Sequence, residues 1–281
     1  MPELSEVKIM ADFINSAAKE EGFFDTIVKS EVSKVNTELD PFGGAVFTVS
    51  AKSRGKELML QFEMVGGDIK GAVVKNLLCN MGMSGNWVYI RKNAPQLEKA
   101  FKHSHLRIQS TRGNWLLLHD VRRFAKWKWV DNWSSNRSPC PLTEYNQFAE
   151  NLKTNWHKSK DFEKPLCELL MNQKWFNGVG AYIRSELLYI TNFNPFIQAN
   201  KLTLEDINLL IKTLHILFRE TYQLNGGHDK QWYSQNTLNV KNFNSWFKCY
   251  GNKNMIKIVD KKGRNLWFDK SWEKQSIDYL N

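Results

Sequence analysis

From residue 23 to about 135 the apolar residues abandon helical spacing and gather into short runs. ELMLQF (57–62), GAVVKNLL (71–78), HLRIQS (105–110), WLLLHD (115–120) and KWKWV (126–130) are separated by Gly pairs, Asn-rich tips and an Arg-Gly-Lys turn. No helical pattern falls between them, which predicts a β-sandwich or barrel. The flanks differ. Residues 3–20 carry Leu4, Val7, Met10, Ile14 and Ala17/Ala18 at three-to-four spacing and stop at Gly22, which predicts a helix. Pro2 and Glu3 suit its first turn, where a missing amide costs nothing and an acid meets the positive dipole end. The composition of 131–143 is that of a linker, and 144–224 is mostly helical in pattern. Residues 223–237 (QLNGGHDKQWYSQNT) are a candidate mobile loop, and MIKIVD (255–260) and RNLWFD (264–269) form a hairpin about a KKG turn.

Over 281 residues, 42% hydrophobic and 13% aromatic content excludes a mainly disordered chain. No run approaches the ~18 apolar residues of a membrane span, and the charged start MPELSEVKIM is no secretory signal. Cys79, Cys140, Cys167 and Cys249 include no CxxC pair, so they read as free thiols of a reducing intracellular setting rather than as a zinc site. The net charge of +10 is compatible with nucleic acid, an acidic membrane surface or plain solubility. Its distribution is informative. Residues 101–137 hold 8 basic and 2 acidic side chains, residues 241–281 hold 9 and 4, and the remainder is nearly balanced.

Several residues carry a chemical reading beside a plainer one. Removal of Met1 leaves Pro2 as a secondary amine. An α-amino group titrates near ~7.8 against ~10.4 for Lys, so roughly a tenth is uncharged at neutral pH. Such an amine attacks a sugar aldehyde carbon, and the iminium formed is an electron sink for elimination. The plainer reading is helix-start chemistry. Glu3 is either a proton shuttle beside that amine or a helix N-terminal acid. Lys56 is aimed at a phosphate from a tight turn or is a solvated charge. Met83, between two glycines in NMGMSGNW, is a wedge for a base stack or a core methionine. In LLLHDVRRFAKWKW, Arg122 and Phe124 offer a guanidinium and a ring to the gap left by an extruded base; otherwise they are an Arg–Asp surface pair and a half-buried Phe. The turn Asn177-Gly178-Val179-Gly180 lies between two helical runs, where glycines at a helix N-terminus make a phosphate cradle. Arg264, with Lys261 and Lys262, enters a minor groove from the hairpin tip or is solvated.

Together these stretches resemble the formamidopyrimidine-DNA glycosylase / endonuclease VIII family of base-excision repair enzymes. The resemblance rests on MPELSEV, SRGKELML, NMGMSG, HSHLRI, DVRRF and QKWFNGVGAYIRSE, in order over nearly the whole length. SWFKCYG…KKGRNLWF resembles the "zincless finger" of the animal endonuclease VIII-like glycosylases; much of the family holds this hairpin with four zinc-bound cysteines, and here only Cys249 lies in it. The resemblance implies excision of oxidised bases, mainly pyrimidines and ring-opened purines, followed by β,δ-elimination through a Schiff base. It implies Pro2 as nucleophile, Glu3 as proton donor and acceptor, and Lys56 on a phosphate beside the lesion. Met83, Arg122 and Phe124 match void-filling positions. His103 and Lys160 (with Lys158) match contacts to the DNA backbone, Arg264 matches a groove-inserting arginine, and 223–237 a lesion-covering loop.

Two positions depart from the family's pattern. Ser5 stands for the usual Pro, and Ala181 for the Asn that holds a lesion-side phosphate, a hydrogen bond worth about 1–3 kcal/mol. The expected fold is α+β with two domains. An N-terminal β-sandwich with a helix spans 1–135, a linker 136–143, a helix-two-turns-helix domain 144–240 and the zincless-finger hairpin 241–281. The expected protein is an intracellular monomer, in the nucleus or wherever genomic DNA is held. Its expected partner is damaged DNA lying between the domains; no membrane, metal or cofactor is expected. A non-catalytic damage-binding protein on the same scaffold is the alternative motivated by Ala181. A basic RNA-associated protein explains the charge but leaves Pro2, Glu3, Lys56 and DVRRF without a role.

Overall fold

Helix α1 (Leu4–Glu21) begins after Pro2 and Glu3, so these two residues precede the helix rather than forming its first turn. It ends on Gly22, whose φ of 81° lets the amide close back on Ala18 at 2.8 Å. The structure, a computed structural model, describes residues 2–35, 42–66, 73–224, 226 and 241–281. These form two units. Pro2 and the described residues of 6–134 make the first; Glu3–Ser5 and the described residues from 135 onward make the second.

In the first unit, α1 is followed by β1 (Phe24–Lys29), β2 (Phe47–Arg54), β3 (Glu57–Met64), β4 (Val74–Asn80), β5 (Asn86–Ile90), α2 (Leu97–Phe101), β6 (Ser104–Ser110), β7 (Trp115–His119) and β8 (Lys126–Val130). Among the described residues the eight strands hydrogen-bond in the order β5-β7-β6-β1-β2-β3-β4-β8, every pairing antiparallel. Among the described residues, the strand pairing that joins the two halves is Phe24 opposite Phe47 at the β1–β2 junction. So short a seam lets the sheet turn there, and both halves bury side chains in one core: Leu106, Ile108 and Leu118 from one, Val49, Leu60 and Phe62 from the other, with Val7, Met10 and Ile14 of α1. Period-two alternation is clearest on β2, where Phe47, Val49 and Ala51 are buried. Arg54 pairs with Glu57, so Gly55 (φ 59°) and Lys56 form the whole β2–β3 turn.

The second unit contains α3 (Tyr145–Asn155), α4 (Leu166–Leu169), α5 (Ala181–Thr191), α6 (Leu204–Gln223), α7 (Lys241–Trp246), β9 (Ile256–Val259), β10 (Asn265–Phe268) and α8 (Glu273–Leu280). A Thr203/Asp206 capping box starts α6, and Asn192 (φ 53°) ends α5. Phe148, Trp156, Phe176, Leu187, Leu214 and Phe218 centre the core, which Leu266 and Phe268 of the hairpin join. Residues 136–143 form no helix or strand, yet Ser138 and Cys140 are buried and the Pro141 carbonyl meets the His215 ring at 2.8 Å. No helix among the described residues is long and apolar enough to cross a membrane.

Candidate active site

The start of the chain is held by the second unit. The Leu4 amide donates to the Gly178 carbonyl at 3.2 Å. Glu3 is buried, and its two carboxylate oxygens accept from the amides of Gly180 (2.6 Å) and Tyr182 (3.0 Å). These amides lie at the N-terminus of α5, where N–H groups have no carbonyl of their own helix to meet and the helix dipole also favours an anion. Glu3 thus caps a helix 177 residues away in sequence rather than its own.

At the 177–180 turn, which the sequence offers as a phosphate cradle, the Gly180 amide and the Tyr182 amide just beyond it bond to the Glu3 carboxylate. A Cβ on Gly180 would lie 2.3 Å from the Glu3 carboxyl carbon, and one on Gly178 (φ 104°) 2.6 Å from the Leu4 Cβ. The glycines make room for Glu3 and Leu4. Asn177, read as a DNA-binding residue, is fully buried: its side-chain amide donates to the Ser138 carbonyl at 3.0 Å and its oxygen accepts from Arg137 at 3.3 Å. That engagement leaves Asn177 inside the unit. Ser5, the departure from Pro, is buried, with its hydroxyl 2.6 Å from that of Thr221 and donating to the Phe218 carbonyl at 3.1 Å. Ala181 is the first residue of α5. Burial and the Glu3 charge both push the Tyr250 phenol up, so that ring stays protonated through the physiological range.

In the first unit the three void-filling candidates come together around Asp120. Its carboxylate, fully buried, accepts from the Ser84 hydroxyl (2.6 Å) and from the amides of Arg122 (3.1 Å), Phe124 (2.7 Å) and Ala125 (2.7 Å). One side chain thereby joins the turn carrying Met83 to the loop carrying Arg122 and Phe124. Gly82 seals the junction, since a Cβ there would fall 2.7 Å from that of Phe124. Met83 and Phe124 are each 47% exposed, and the Arg122 guanidinium lies over the Phe124 ring at 4.9 Å. The loop turns sharply because Arg123 adopts a φ of 58°, a conformation L-residues seldom take. The Arg–Asp surface pair considered from sequence is replaced by a buried Asp bonding to backbone. Burial would raise the Asp120 pKa, but the Ser84 hydroxyl and the three amides outweigh it and hold the group below its ordinary range.

The remaining candidates lie as follows. His103 is half-buried; its carbonyl accepts from the Asp120 amide at 2.9 Å and its ring meets that of His119 edge-on. Lys56 occupies the β2–β3 turn, half-buried. Lys160 is exposed at the start of a 3-10 turn, Lys160–Glu163, and Arg264 is exposed at the hairpin turn. Apart from residues 223, 224 and 226, the 223–237 loop lies outside the described residues. Among the described residues no three His, Cys, Asp or Glu side chains are grouped to hold a metal, and the four cysteines are buried, with Cys167 and Cys249 pushed by burial to about 12. Arg184, Glu186 and the loop-joining role of Asp120 escaped the sequence reading. An Asp before a turn was the available signal for the last; a buried Arg or Glu inside an amphipathic helix gives none.

Comparison with known proteins agrees with this architecture. Residues 1–127 match the formamidopyrimidine-DNA glycosylase N-terminal domain, and residues 241–271 the Endonuclease VIII-like 1 DNA-binding domain. The chain is 32% identical to Endonuclease 8-like 1 of Homo sapiens, over 95% of this chain and 72% of that protein. It is 29% identical to the formamidopyrimidine-DNA glycosylase of Hydrogenovibrio crunogenus, over 77% and 73%. Its fold superimposes on Lactococcus lactis Fpg in complex with an abasic site containing DNA (TM-score 0.73, 20% identity, 96% of this chain and 98% of that one). It matches the same protein with an oxidized pyrimidine containing DNA at a TM-score of 0.74 (21% identity, 96% and 99%). The chain belongs to the formamidopyrimidine-DNA glycosylase / endonuclease VIII family of DNA glycosylases.

Proposed function

We propose that this protein is a bifunctional glycosylase and abasic-site lyase that removes oxidised bases, mainly pyrimidines and ring-opened purines, and then cuts the strand by β,δ-elimination. The observation that carries the reading is the Glu3 carboxylate: buried, locked by two α5 amides, and covalently adjacent to Pro2. A carboxylate so fixed cannot swing away from its neighbour, which is what proton transfer at a single sugar requires.

With Met1 removed, the Pro2 nitrogen attacks C1′ of the damaged nucleotide. The N–C1′ bond forms, the glycosidic bond breaks and the base leaves with a proton. Glu3 takes the proton that the amine sheds and passes it to the ring oxygen as the sugar opens, and the nitrogen lone pair completes the iminium. Loss of a C2′ proton sends electrons toward that iminium and expels the 3′ phosphate; a second elimination expels the 5′ phosphate. Lys56 holds a phosphate beside the lesion. Met83, Arg122 and Phe124 occupy the gap left by the extruded base, and His103, Lys160 and Arg264 bind backbone or groove.

Borohydride reduction during incubation with an abasic-site duplex tests this. The expected result is a covalent protein–DNA complex, lost when a tag precedes Pro2. No complex with the untagged protein, or equal trapping with the tag in place, overturns the reading in favour of a non-catalytic damage-binding protein.

A further inference from the structure

Three consecutive side chains of α5 fasten the β9–β10 hairpin and the segment before it. The Arg184 guanidinium donates to Asp260 (2.6 Å) and to the Cys167 carbonyl (3.2 Å) through one terminal nitrogen, and to the Asn265 carbonyl (2.8 Å) through the other. The Ser185 hydroxyl oxygen accepts from the Trp267 amide at 3.1 Å. The Glu186 carboxylate accepts from the amides of Lys248 (3.0 Å), Cys249 (2.9 Å) and Tyr250 (2.6 Å). All three side chains are fully buried.

Asp260 is the link to the exposed tip. One oxygen takes Arg184; the other accepts from the amides of Lys262 and Arg264, each at 2.9 Å, while the Asp260 amide donates to the Arg264 carbonyl at 2.9 Å. A two-stranded hairpin with four-residue strands is not stable alone, so its direction must be imposed from outside. Arg184 imposes it, because its planar fork serves α4, the tip and β10 at once. We infer that Arg184, paired with Asp260, is a positioning residue for DNA binding: it sets the direction in which the tip presents Arg264 and acts through that arginine. This rests on the proposed action on DNA.

The test uses the full chain and an abasic-site duplex, with borohydride trapping to measure the maximal rate and the half-saturating DNA concentration. Arg184→Lys keeps the charge but loses the fork. It should raise the half-saturating concentration about tenfold at an unchanged maximal rate. Arg264→Ala should do the same, and the double variant should be within about twofold of Arg264→Ala, since Arg184 then has nothing left to position. Multiplicative costs, or a fall in maximal rate alone, overturn the inference. Asp260→Asn, a near-isosteric replacement, gives the same comparison should Arg184→Lys fail to fold. If the wild type forms no complex, the action on DNA is what has failed. Hydrogen exchange then decides for the positioning role: the Lys262 and Arg264 amides should exchange at least about tenfold faster in Arg184→Lys, and equal rates overturn it.

Discussion

Asp120 shows how one buried charge can organise an exposed surface. Its acceptors are saturated by a hydroxyl and three amides, so the loops bearing Met83, Arg122 and Phe124 are ordered before any ligand arrives. Asparagine at this position would turn an NH2 toward amides that need an acceptor. Asp120→Asn should therefore lower unfolding free energy at neutral pH by about 2–3 kcal/mol, measured by urea with Trp fluorescence. The pH dependence has a definite sign. The folded pKa lies below the ordinary 3.8, so the carboxylate's contribution is complete above that value and is lost as pH falls through the folded value. The gap between wild type and variant should close in that acidic window; a constant gap would show that charge is not what Asp120 contributes. Glu3 is the second residue of this kind. Glu3→Gln replaces one acceptor by a donor facing an amide, and should slow trapping at saturating DNA by about 10²-fold or more.

At the level of elements, α5 does most of the organising. Its N-terminus holds Glu3, and its first turns hold the hairpin through Arg184 and Ser185 and the segment before it through Glu186. The two glycines ahead of it fit this role, because each approaches the start of the chain more closely than a side chain allows. Gly180→Ala should displace the Glu3 carboxylate and slow trapping about 10²-fold, as Glu3→Gln does, with secondary structure unchanged by circular dichroism. A wild-type rate would mean that the α5 capping site is dispensable. Ser5 belongs to the same logic. Where the family has a proline without an amide proton, this chain bonds its hydroxyl to Thr221 and the Phe218 carbonyl of α6.

For the whole molecule, electrostatics is the property that spans both units. The excess positive charge lies in 101–137, around Asp120, and in 241–281, around the hairpin. If both segments meet phosphates, log affinity should fall with log salt by about 0.9 for each contact. Replacing Lys261 and Lys262 by Gln should flatten the slope by about 0.9 per phosphate lost. A slope independent of these lysines would place the hairpin off the DNA.

Some of this was legible without a structure. The strand runs, the α1 and α6 periodicities and the hairpin depend on spacing along the chain, and local spacing decides which face an element can bury. Pro2, Lys56 and the exposed Met83 and Phe124 stand on termini or tips that turn chemistry marks. The partners of the buried polar groups were not legible. Glu3 reads locally as a proton shuttle or a helix-start acid, and only the fold sets it on α5. Asn177 lies on a glycine turn, yet the structure buries it. Arg184 carries no local signal of burial, and only the fold places Asp260 opposite it. Most secondary structure follows from neighbours a few residues apart, so the sequence by itself determined it, apart from the short α2 between β5 and β6, where no helical pattern stands. A buried charge requires partners brought from 76 or 177 positions away, and those the tertiary structure alone decided.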